Sequence, residues 1–167
     1  MSIRLGWVLL FAVTGCRGAV DQQIDELAAA GITVKYNSAG EVFWIDTAGA
    51  TLDEHFGESL GNFEQLEQLA LTGSPVTDAD LPELTSLRTL HSLDLSYTRI
   101  TSVGLSVLSR VEDLQTLSLN GVPLDDAAVE PLCQLTRLRS LSLMDCGLSA
   151  EAVGKIQKTL PGCLVVE

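Results

Sequence analysis

The chain has 167 residues, with 22 acidic side chains against 10 basic ones and a formal net charge of −12. Nucleic-acid binding is carried mostly by Lys and Arg, so this balance argues against a nucleic-acid partner and against docking on anionic lipid headgroups. Past an apolar leader, about 150 residues without a Gly/Ser-rich or proline-rich linker make one domain.

In chain order, residues 1–15 read as a leader and not as part of the fold. Arg4 supplies a positive charge, Leu5–Val13 is apolar, and Val13-Thr14-Gly15-Cys16 follows. The apolar run is far shorter than the roughly 20 residues that a membrane-spanning helix needs. It has the order of a secretory signal. Its ending resembles a bacterial lipobox: a branched apolar residue and two small ones before Cys. That resemblance implies cleavage before Cys16 and lipidation of Cys16. The protein would then be lipid-anchored in the bacterial cell envelope, with the outer membrane or periplasmic side favoured because Arg17, and not Asp, follows. A chance Cys in a leader cut elsewhere is the competing reading. Residues 16–20 are the tether, and Arg17–Val20 spans at most about 14 Å, so the body should sit close to the membrane.

Residues 21–41 read as an N-terminal cap of helix and strand. Ile24, Leu27 and Ala28 share a helical face, Asp21 can cap it and Gly31 can end it. Ile32, Val34 and Tyr36 then alternate, Asn37–Gly40 is turn-rich, and Val42–Ile45 follows as a second strand. Such a hairpin would cover a core edge that otherwise invites pairing with another chain.

From Val42 to about Leu160 the chain repeats every 24 residues, five times over. Column one reads Val42, Leu66, Leu90, Leu114, Leu138; column four Ile45, Leu69, Leu93, Leu117, Leu141; column six Thr47, Leu71, Leu95, Leu119, Leu143. Column eleven reads Leu52, Val76, Ile100, Leu124, Leu148, and column nineteen Leu60, Leu84, Leu108, Leu132, Ile156. Alternation around columns three to six predicts a short half-buried strand. Apolar spacings of three and four after column twelve predict a helical stripe. Column twelve itself, Asp53, Thr77, Thr101, Asp125 and Ser149, is made of helix N-cap residues. Acids near the predicted helix starts, among them Glu54, Asp78, Asp80, Asp126 and Glu151, are read as dipole-stabilising. Pro82 and Pro131 fall in outer segments, so those helices start late or are partly 3₁₀. No repeat can bury its own apolar side, and stacking must do so. Residues 161–167 are a C-terminal cap, with Cys163–Val166 a possible last strand whose register the pattern leaves open.

The run Leu90-x-x-Leu93-x-Leu95-x-x-Thr98-x-Ile100, with its copies, resembles the leucine-rich repeat family. LSYTRIT at 95–101 and LPGC at 160–163 are similar to the repeats of planctomycete-type bacteria. The resemblance implies an α/β leucine-rich repeat solenoid of right-handed strand–helix repeats, with a short curved parallel sheet on the concave side and helices outside. It also implies that column nine hydrogen-bonds the turn backbone. Here that column is Ala50, Ser74, Thr98, Val122 and Cys146, so the ladder should be patchy at Ala50 and Val122.

A search for catalytic groups is negative. His55 and His91 are out of step with the repeat and fall on opposite sides of it. No Cys/His set has metal spacing, and no nucleophile elbow, phosphate loop or dinucleotide fingerprint is present. No enzyme, cofactor, metal site or small-molecule substrate is therefore expected. Cys133, Cys146 and Cys163 leave an odd number once Cys16 is removed; Cys146 and Cys163 read as small buried hydrophobes.

The expected role is non-covalent binding of a protein or envelope component. Two alternatives are a structural envelope protein without a dedicated ligand and a cytoplasmic interaction module if the leader is not a signal. The candidate binding residues come from the outward columns and the adjoining turn: Trp44, Asp46, Asp94, Ser96, Tyr97, Arg99, Ser118, Asn120, Ser142 and Met144. Trp, Tyr and Arg dominate interface hot spots, which singles out Trp44, Tyr97 and Arg99. Five strands about 4.8 Å apart make a face only about 20–25 Å long, so a partner would need the turns as well.

Overall fold

The computed structural model describes residues 19–167 except 49, 51, 53–59 and 61. The lipobox, Cys16, Asp53, Glu54 and His55 lie outside the described residues. A single seven-stranded sheet runs in chain order: β1 (Thr33–Tyr36), β2 (Val42–Asp46), β3 (Gln68–Ala70), β4 (Ser92–Asp94), β5 (Thr116–Ser118), β6 (Ser140–Ser142) and β7 (Leu164–Val166). β1 is antiparallel to β2, and every later pair is parallel. The register keeps the sequence columns: Ile45, Leu69, Leu93, Leu117 and Leu141 lie side by side. Leu141 then pairs with Val165, so β7 continues the same spacing and the open register is settled.

The leucine columns become one continuous core. Columns one, four, six and nineteen are buried in every repeat, and Thr47 takes the leucine place in column six with its hydroxyl on the Ala70 carbonyl at 3.1 Å. Each buried Leu contributes about 1.5–3 kcal/mol of apolar burial, and because the cluster is continuous each repeat shields the next.

The outer segments are shorter than the apolar stripe suggests. Leu81–Ser86 is a 3₁₀ helix with Pro82 in its first turn. α2 (Leu105–Leu108) is a single turn. A 3₁₀ turn, Asp126–Ala128, leads into α3 (Val129–Gln134), where Pro131 again falls in the first turn. Among the described outer segments, only α4 (Ala150–Thr159) reaches 10 residues. The N-terminal α1 (Ala19–Ala29) begins before the expected Asp21. Asp21 therefore lies within the helix and not at its start, and residues 19 and 20 belong to the helix and not to the tether. Gly31, at φ +86°, ends it as expected.

Column twelve behaves as a cap in part. Asp125 accepts from the Ala127 N–H, Ser149 from the Ala152 N–H at 3.1 Å, and Thr101 from the Val103 N–H at 3.3 Å. Thr77 instead donates its hydroxyl and its N–H to Asp80. The more regular feature is a clamp from column thirteen to column twelve of the next repeat. Asp78 accepts from the Thr101 N–H and hydroxyl, at 2.8 and 2.6 Å. Asp126 does the same for Ser149, at 3.0 and 2.7 Å. Ser102 accepts from the Asp125 N–H at 3.0 Å between them. Two of the acids read as dipole partners thus tie neighbouring repeats together. Gly104 makes room for the first clamp, because a Cβ there would overlap the Asp78 carboxylate.

The Ser149 N–H and hydroxyl hold the Asp126 carboxyl below the usual carboxylate range. A group depressed in the folded state stabilises above its unfolded pKa and loses that contribution as pH falls through the folded value. Asp126→Asn is therefore expected to flatten the acid limb of a melting-temperature profile below about pH 4, while removing some stability at neutral pH. Gly104→Ala should destabilise by about 1 kcal/mol or more, and by less in an Asp78→Ala background, as a double-mutant cycle of chemical denaturation would read.

Candidate functional site

The turn after each strand decides which side chains are free. Column eight is left-handed in every described repeat: Gly73 at φ +68°, Tyr97 at +58°, Gly121 at +66° and Asp145 at +56°. This conformation ends the strand and lets the column-eight N–H donate to the column-seven carbonyl of the next repeat. Gly73 reaches Ser96, Tyr97 reaches Asn120 and Gly121 reaches Met144, each at 2.8 Å. The chain then dips so that column nine enters the core. There Ser74 and Thr98 bond the column-six carbonyls of their own repeats at 2.5 and 2.6 Å. Cys146 bonds Leu119 of the preceding repeat at 2.8 Å. Val122 is buried without such a bond, and Ala50 only packs on the core, so the ladder is broken where the sequence predicts.

The candidate residues divide by what their polar atoms already do. Asp46 accepts from the Ala48 N–H and Asp94 from the Ser96 N–H, both at 2.9 Å. Asn120 accepts from the Ser142 hydroxyl at 2.6 Å and from the Met144 N–H at 3.0 Å. These four side chains build turns and seams. Trp44 is half-buried, with the Lys35 ammonium 3.7 Å from the centre of its indole, because β1 lays Lys35 beside it. It belongs to the N-terminal cap as much as to any open face.

Ser96 is a correction. Strand alternation puts it outward, but it is 3% exposed and its hydroxyl has no partner. Column seven as a whole still faces outward, with Ala48 and Met144 exposed and Thr72 and Asn120 half-buried; Ser96 is a small side chain in the middle of that row, covered by its neighbours. It cannot meet a ligand as a surface group. Ser118 is half-buried on the sheet face.

What remains free is a strip along the turns. Tyr97 is 62% exposed and Met144 44% exposed, and Arg99 is exposed with no side-chain partner among the described residues. The Tyr97 ring lies over Gly121, where a Cβ would overlap it. A non-glycine residue in this conformation costs about 1 kcal/mol or more. The sequence signal for the left-handed column was present, since Gly49, Gly73 and Gly121 share it, and reading it would have marked Tyr97 as the residue out of place.

Other chemistry is sparse. His91 is half-buried, with Nδ1 3.3 Å from the Thr89 carbonyl. Among the described residues no group of three or more His, Cys, Asp and Glu side chains could hold a metal, and no helix is long and apolar enough to cross a membrane. Cys146 is buried, while Cys133 and Cys163 are half-buried; burial pushes the Cys146 and Cys163 thiols up.

Parallel strands in chain order, a continuous leucine core and short outer helices define a leucine-rich repeat solenoid. A family model described as Leucine Rich repeat matches residues 86–109. Among solved structures, the chain is similar to a leucine-rich repeat protein of Leptospira interrogans, at 23% identity and TM-score 0.51, over 65% of this chain and 27% of that one. It is also similar to the actin-binding site 2 of leiomodin-1, at 16% identity and TM-score 0.58, over 88% of this chain and 90% of that one. An internalin of Listeria monocytogenes aligns at 20% identity and TM-score 0.47, over 65% of this chain and 36% of that one. The chain thus spans about a quarter of the Leptospira protein. No curated protein matches it in sequence.

Tyr97→Gly should leave thermal stability unchanged or raise it by up to about 1 kcal/mol, because glycine adopts this backbone freely. Gly121→Ala should destabilise, and combining it with Tyr97→Gly should restore part of the loss. Thermal melts of the single and double variants check both statements.

Proposed function

We propose that this chain is a non-enzymatic protein-interaction module, lipid-anchored through Cys16 in a bacterial cell envelope, whose binding face is the turn strip of Tyr97, Arg99 and Met144. The observation that carries the reading is Tyr97: a large aromatic, exposed, in a position where the flanking repeats use glycine. Backbone cost of this kind concentrates at ligand-contacting sites. The ring is fixed over Gly121, so it would lose little freedom on binding, and the exposed Arg99 guanidinium, with no side-chain partner among the described residues, stands two residues away. Aromatic and Arg anchors are the usual hot spots of interfaces. The solenoid fold supports the same reading, since leucine-rich repeats commonly bind proteins; the leiomodin-1 segment is named for actin binding. The lipobox supports the anchor.

Intact mass of the protein from membranes of a bacterial host tests the anchor. A species beginning at Cys16 with added acyl mass, absent in Cys16→Ser, is expected; an unprocessed soluble chain would move the partner search to the cytoplasm. Quantitative capture from envelope fractions tests the face. Tyr97→Gly and Arg99→Ala should each weaken a saturable partner about tenfold or more, in the range of hot-spot truncations, with melting unchanged. Equal capture by wild type and both variants would overturn the assignment.

A further inference from the structure

The first and last strands of the described sheet differ in what guards their outer edges. At one end β1 carries Lys35 on the open sheet face, its register slips between Lys35 and Tyr36, and α1 packs against it. Charge, a bulge and a covering helix are the devices that keep an edge strand from pairing. At the other end β7 reads Leu164-Val165-Val166, with no charge, proline or bulge. Among the described residues nothing pairs with its outer edge. Its face is apolar and open, with Leu164 66% and Val166 38% exposed beside Ser140 and Ser142 of β6.

The backbone of β7 fixes what can be added. The Leu164 N–H donates to the Arg139 carbonyl and the Val166 carbonyl accepts from Leu143, both at 2.8 Å. Residues 164 and 166 thus turn their backbone groups toward β6. By alternation along a strand, Val165 turns its N–H and C=O outward. An antiparallel neighbour centred on Val165 meets that pattern, because hydrogen-bonded and non-hydrogen-bonded pairs alternate in such a ladder.

We propose that a second copy of this chain pairs there, β7 against β7 about a two-fold axis through Val165. The two Val165 residues exchange both backbone hydrogen bonds. Leu164 then faces the second copy's Val166 on the open side of the sheet, in the closely spaced pair, and the reverse contact covers the other two exposed side chains. Charge fits as well. Glu167 comes opposite the second copy's residue 163, one strand from its Arg139, whose exposed guanidinium has no side-chain partner among the described residues. Two strand spacings are about 10 Å, within reach of an Arg and a Glu side chain together. The pairing is self-complementary, as a closed two-fold interface requires. Head-to-tail stacking is opposed by the protected β1 edge, so the assembly stops at two.

Sedimentation velocity of the full chain in density-matched detergent tests this. A concentration-dependent dimer is expected, weakened about tenfold or more by Leu164→Lys, an exposed position, and by Val165→Pro, which removes the outward N–H together with a side chain packed on the core, so that the melting of each variant is read beside its association. Glu167→Cys sets a thiol opposite the second copy's Cys163 at a separation a disulfide can span. Mild oxidation should then give a covalent dimer with the 163–167 link found by peptide mapping. A wild-type monomer across the concentration range, or a dimer indifferent to Leu164→Lys, would overturn the proposal. Neither result bears on the Tyr97 face, which lies on the turns.

Discussion

Each strand of this molecule depends on its neighbour to cover leucines it cannot cover itself. Columns one, four, six and nineteen are buried because the repeat before and the repeat after close over them. A Leu in the middle of the array, such as Leu117, touches side chains from both directions. Removing one repeat would therefore expose two faces of core and not one. The array stands or falls by its seams, and the local helices contribute little: two of the outer segments are 3₁₀ turns and α2 is a single turn.

Polar groups at the seams serve the same end. The column-thirteen clamps, the column-eight N–H ladder and the Asn120 amide each bind one repeat to the next. This work consumes most of the polar side chains that look available in the sequence. Asp46, Asp94, Asn120 and Ser142 point toward the open side yet are already engaged. The exposed side chains left unengaged accordingly form a narrow strip on the turns, where the seams need backbone and not side chains.

The fold was legible because one residue type carries the period. Leucine at fixed columns gives strand positions and register to the residue, and the core follows without any knowledge of loops. The ends were less legible. α1 already includes Asp21, which the pattern had placed at its start, and β7 carries Val165 and Glu167 where the earlier strands carry their column-four and column-six residues. The site was legible in part. Tyr97, Arg99 and Met144 are exposed as expected, but Ser96 is buried, a small side chain in the middle of a column whose end members, Ala48 and Met144, stay exposed. Asp78 and Asp126 look like helix-start acids in sequence; only the stacking shows that their partners sit 23 residues away. Such contacts depend on the spatial offset between repeats, which a column alignment does not contain.

The left-handed column also makes the array a sentence with word order. The repeat bearing Tyr97 must be followed by one bearing glycine, because the ring occupies the volume a side chain at position 121 would need. The repeat bearing Asp78 must be followed by one with glycine at position 104 for the same reason. Duplicating the central repeat in place would set a tyrosine against a tyrosine and break the fit, although every leucine would still align. Growth of this solenoid by copying is thus restricted to junctions where both the apolar columns and the turn glycines agree, and the central repeats are not interchangeable parts.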